Sequence, residues 1–126
     1  MDSPEIFVDS DYILALKTAD KYCCAWLSRA GSIAYDLISD NIKSQYKDKE
    51  DFIMQFAGVS NPHHEAFEIS GCSCRAKDRI TFRVWMYYHY TGEYIPPYKR
   101  PDNNTFIELI KIEEETWLVD KVTTKP

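Results

Sequence analysis

The sequence predicts an α+β domain: three N-terminal helices packed on a strongly curved, four-stranded, mainly antiparallel sheet, cone-like in outline. Two observations lead there. Apolar residues recur at three- and four-residue steps up to about residue 58, and at two-residue steps from about residue 65 onward. The helical segments all precede the strands, an order that favours segregated layers over alternating βαβ units. The length of 126 residues suits one domain over 1–126, with 1–9 as a leader segment.

The first helix is expected over Ser10–Arg29, capped by Ser10 or Asp11. Ile13, Leu16, Ala19, Tyr22, Cys23, Trp26 and Leu27 form its apolar stripe, with Lys17, Asp20, Lys21 and Ser28 on the solvated side. Gly31 suits a left-handed residue closing that helix. Ser32–Ser39 reads as a short second helix burying Ala34, Leu37 and Ile38, and "DNIKSQYKDK" as a polar connector. The third helix spans Lys49–Gly58 and turns Phe52, Ile53 and Phe56 inward.

After the Asn61-Pro62 turn, strand one runs over Glu65–Arg75 with a bulge or bend at Gly71. Strand two, Arg79–Tyr90, presents Ile80, Phe82, Val84, Met86, Tyr88 and Tyr90 on one face. Thr81, Arg83, Trp85, Tyr87 and His89 lie on the other. A proline-rich loop from Thr91 to Asn104 precedes strands three, "TFIELIKIE", and four, "TWLVDKVT". The acidic run Glu113–Glu115 makes the tight turn between them.

Composition restricts the function classes. A net charge of −5 with scattered Lys and Arg argues against a nucleic-acid partner. No apolar run reaches the length of a membrane span. The N-terminus MDSPEIF carries no basic region followed by an apolar core, so an exported form would have had its export signal trimmed. The aromatic content of 14%, with nine Tyr and three Trp, suits pocket walls, cores and interfaces alike.

Three groups of residues could carry chemistry. Cys23-Cys24 on the first helix and Cys72/Cys74 on strand one admit three readings: free thiols of packing value, a helix–sheet disulfide, or a thiolate metal site. The spacing fits no zinc module, and no metal or cofactor is expected. His63-His64 read as a surface loop. Tyr35 and Asp36 could form a donor–base pair, and Arg83, Trp85, Tyr87 and His89 a polar-aromatic wall with His89 as base near neutral pH. The same wall has the residue types of an interface, and the opposite, more apolar face of strand two is the better core.

Several segments carry a family likeness: Ala25-Trp26-Leu27 ending the first helix, "AYDLIS" in the second, "YKDKEDFIMQFAG" around the third, and "ETWLVDKVTT" at the last strand. Together, over roughly residues 10–123, they resemble the nuclear-transport-factor-2-like superfamily, a cystatin-like cone that includes small bacterial members. The resemblance implies a bent sheet wrapped around the first helix, with a pocket at the open end. Its enzymes are isomerases, dehydratases and cyclases that place an Asp or His base deep in the cone, and no such pair aligns here. The expected function is therefore a non-catalytic binding or interaction domain. It would be a homodimer through the aromatic sheet face, with room for a small apolar ligand in the cone. The alternative is a small isomerase-, dehydratase- or cyclase-type enzyme with His89 or Asp36 as base and Tyr35 or Tyr87 as donor. The likeness admits an extracytoplasmic setting, and otherwise the cytoplasm.

Overall fold

A computed structural model describes residues 9–57, 66–87 and 104–125. They form α1 (Ser10–Ser28), α2 (Gly31–Tyr35), α3 (Asp40–Lys43), α4 (Lys49–Ala57), β1 (Ala66–Arg75), β2 (Arg79–Tyr87), β3 (Asn104–Glu113) and β4 (Thr116–Lys125). The strands make one open antiparallel meander in the order β1-β2-β3-β4. The class is the α+β arrangement expected, but the described residues hold four helices rather than three. The extra one, α3, lies in the stretch read as a connector.

Helix α1 starts at Ser10 as expected, but its cap lies one residue before the residues expected to cap it. Asp9, not Ser10 or Asp11, is the N-cap, and its carboxylate accepts from the Tyr12 backbone N–H at 2.9 Å. The same carboxylate accepts from Arg75 Nη2 at 2.9 Å on both oxygens, tying the start of α1 to the end of β1. Most of the expected stripe holds: Ala19, Tyr22 and Cys23 are buried and Leu16, Trp26 and Leu27 pack half-buried against the core, joined by buried Ala15 and Ala25, whereas Ile13 is exposed. Arg29 (φ 57°), not Gly31, takes the left-handed position. Its backbone N–H donates to the Ala25 and Trp26 carbonyls.

Gly31 has a different role. It opens α2, and a Cβ there would lie 2.9 Å from Ile53 Cα of α4. The absence of a side chain lets the two helices touch backbone to backbone. Helix α2 ends at Tyr35, so Ile38 is buried from an extended segment instead. That segment forms a parallel bridge to Val119 on the β4 edge, with Ser39 N–H donating to Val119 O at 2.8 Å and Val119 N–H to Leu37 O at 2.7 Å. The contact covers part of an edge that would otherwise offer unpaired backbone groups.

The core lies between helices and sheet. Ile80, Phe82, Val84 and Met86 point into it as their alternation requires, joined by Ile107, Leu109, Trp117 and Val119. Tyr12 meets Phe82 edge-on at 5.5 Å, which fixes this as the helix-facing side. Gly71 sits at a register shift with φ 141° and an open space where a Cβ would go, so it is needed for its backbone angle alone. Among the described residues no helix is long and apolar enough to cross a membrane.

Candidate functional site

The residues singled out from the sequence fall on two sides of the sheet. Tyr35 is half-buried on the helix side. Its ring lies 5.7 Å from that of Phe52, and Lys43 Nζ and Lys49 Nζ approach it at 4.7 and 5.4 Å. Asp36 is the exposed C-cap of α2. Arg83, Trp85 and Tyr87 occupy the face of β2 turned away from the helices. There Arg83 Cζ stands 5.4 Å from the Trp85 ring, and Tyr87 Oη donates to Glu68 Oε1 at 3.0 Å. Trp85 is 7% exposed, so most of its surface is already covered within one chain. His89, His63 and His64 lie outside the described residues. The structure thus brings together Arg83, Trp85 and Tyr87, and places Tyr35 with Asp36 elsewhere.

The thiols separate in the same way. Two-residue spacing on a regular strand would align Cys72 and Cys74, but the register shifts between them. Cys72 pairs with inward-facing Phe82, and Cys74 with outward-facing Thr81. Cys72 Sγ instead lies 3.3 Å from the Cys74 carbonyl oxygen. All four cysteines are free, and burial pushes the Cys23 thiol far up, so it stays protonated. Among the described residues no group of three or more His, Cys, Asp or Glu could hold a metal ion.

One polar cluster ties helices to sheet. Ser39 caps α3, and its Oγ donates to Asp120 Oδ1 at 2.7 Å. Arg79 Nη1 donates to Asp120 Oδ2 at 3.0 Å and to Glu108 Oε2 at 2.6 Å. Partial burial pushes the Asp120 carboxyl up, but the bonds from Ser39 and Arg79 and the Arg79 charge outweigh it and hold it below the ordinary carboxylate range. A carboxylate lowered in the folded state stabilises fully above its unfolded pKa of about 4, and that stabilisation disappears as pH falls through the folded value. We expect Asp120→Asn to cost roughly 1 kcal/mol at pH 7 after discounting the solvent-exposed Arg79 partner. The gap to the native chain should close below about pH 4 in pH-dependent thermal melts. A gap that persists unchanged at pH 2 would show that the charge of Asp120 is not what stabilises the fold.

Three of the concavities among the described residues are candidate sites. The first, about 480 Å³, opens beside Asn41, Gln45, Tyr46 and Asp120–Val122. Its inner wall is Tyr22, Phe52 and Phe56, but these rings are spent on one another. Phe52 stacks on Phe56 at 5.3 Å and meets Tyr46 edge-on at 5.0 Å, and Phe52 is 2% exposed. Little aromatic surface is left for a ligand. The second, about 280 Å³, is a groove on the outer sheet face along Thr81, Phe106, Glu108, Lys121 and Thr123.

The third is a cleft of about 470 Å³ between α1 and the edge strand β1. Helix α1 packs more extensively on β4 than on β1, which leaves this gap at the β1 side. Leu16, Phe67 and Ile69, all half-buried, line it, with Lys17, Asp20, Lys21 and Glu68 around them. Its size is that of a small-molecule site, and its apolar lining with a few polar groups matches what such sites present. The sequence places Leu16 on the stripe and Lys17, Asp20 and Lys21 on the solvated side. It carries no signal that Phe67 and Ile69 lie opposite them.

Compared with known proteins, the chain matches no family model, no curated protein and no solved structure.

Proposed function

We propose that this chain is a non-catalytic binding domain that takes a small apolar ligand in the cleft between α1 and β1. The observation that carries the reading is the cleft itself: Leu16, Phe67 and Ile69 keep accessible apolar surface in a concavity of about 470 Å³. Removing that surface from water on ligand entry is favourable, at roughly 25 cal/mol per Å². An acid–base enzyme needs a group poised near neutral pH. Among the described residues the strongest upward shifts, at Tyr22 and Cys23, come from burial and keep those groups protonated, while Asp120 is held ionised.

The nuclear-transport-factor-2-like layout, with a cone-like bend of the sheet, belongs to this proposal. The helices-then-meander order and the register shifts in β1 and along β3 and β4, which bend strands, support it. The pairing of two copies through the outer face is part of the same proposal; there Phe106 is half-buried beside the cross-strand pair Glu108 and Lys121.

Calorimetric titration with octan-1-ol tests the cleft. One site per chain is expected, lost in Ile69→Glu, which puts a carboxylate on the apolar wall, and weakened in the milder Leu16→Ala. Heat unchanged in both variants would sink the assignment. Light scattering on the same samples reads the pairing: a mass of two chains is expected, and a single-chain mass contradicts it.

A further inference from the structure

Resting on that reading of the cleft, we infer that its ligand is a single-chain amphiphile with an anionic head, of the fatty-acid type. Lys17 and Lys21 stand one turn apart on α1, both exposed and both on the cleft. Among the described residues neither ammonium forms an ion pair. Of the two carboxylates in the lining, Glu68 keeps its charge but belongs to the outer sheet face: it pairs across the strands with Trp85, and its carboxylate accepts from Tyr87 Oη at 3.0 Å, turned away from α1. On the helix side of the cleft Asp20 is the opposing charge, and the two ammonium groups outnumber it there.

Lysine stems lie along apolar surface while their heads stay in water, so both ammonium groups are at home at the mouth rather than on the floor. An apolar chain entering against Leu16, Phe67 and Ile69 would leave its head at that mouth, beside the two lysines. A neutral ligand would use the floor and leave both charges idle, whereas a cation would meet two like charges and one opposite. The volume of about 470 Å³ suits one chain rather than the two of a bilayer lipid.

Octanoate and octan-1-ol share the chain and differ in the head, so they separate the two claims. The native chain should bind both, with octanoate weakening as salt rises and the alcohol indifferent to it. The paired variant Lys17→Gln/Lys21→Gln keeps the helix, because glutamine is as good a helix former and both sites are exposed. It should weaken octanoate about fivefold and leave the alcohol unchanged. Asp20→Asn should tighten octanoate about twofold. Octanoate binding that ignores both the lysine variant and salt overturns the anionic head and leaves the cleft standing. Failure of the native chain to bind either probe overturns the cleft reading beneath it.

Discussion

Phe82→Ala should cost roughly 3–5 kcal/mol, a large part of the 5–15 kcal/mol that holds a domain of this kind together. Phe82 is fully buried at the centre of β2, paired with Cys72 on one side and Ile107 on the other. Its ring also takes the edge of Tyr12 at 5.5 Å, so truncation removes contacts to β1, β3 and α1 together. Strands fixed by their own ladders collapse poorly into such a hole, which places the expected loss in the upper range for core truncations. Urea unfolding should show a lower midpoint with an unchanged slope, the mark of lost stability without a changed denatured state. A loss below about 1 kcal/mol would mean that the helix layer does not close on this face of the sheet.

Gly31→Ala should cost about 1–3 kcal/mol despite alanine's better helix propensity. In an open helix the change would stabilise, because glycine is the worse helix former. Here the new methyl would stand 2.9 Å from Ile53 Cα and 3.2 Å from Ile53 Cβ, and a backbone atom does not move aside cheaply. Helix α2 must then part from α4, opening the contact beside Phe52. Ile53→Ala in the same chain removes the crowding side chain but not the backbone clash, so it should recover little of the loss. A neutral or stabilising Gly31→Ala in thermal melts would show that α2 and α4 are not in backbone contact.

The alternation of β2 was legible, since Ile80, Phe82, Val84 and Met86 are the buried face that period two requires. So was Gly71 as a bulge. What was not legible depends on partners far along the chain. The one-turn helix α3 needs Ser39 as its cap, and Ser39 is held by Asp120 and by the bridge to β4. Gly31 sits where a helix stop is common, and only the approach of α4 reveals its other use. Counting by twos aligns Cys72 with Cys74, and the register shift between them undoes the count.

The candidate site was less legible than the fold. Tyr35 and Asp36 share a helix end, and Arg83, Trp85 and Tyr87 share a strand face, as their spacing implies. Spacing within one element carries no information about which elements meet, and the sheet lies between the two groups. The cleft is the converse case. Lys17 and Lys21 read as an ordinary solvated face until β1 is set beside them. The charges matter only because Leu16, Phe67 and Ile69 make an apolar floor below them.

Amide shift mapping by nuclear magnetic resonance during an octanoate titration decides whether the cleft between α1 and β1 takes the ligand. Saturable shifts are expected at Leu16–Lys21 and Phe67–Ile69, with Asn41–Tyr46 and Asp120–Val122 quiet. Shifts centred on that second group would move the site to the aromatic pocket beside α3 and α4 and rule out the cleft.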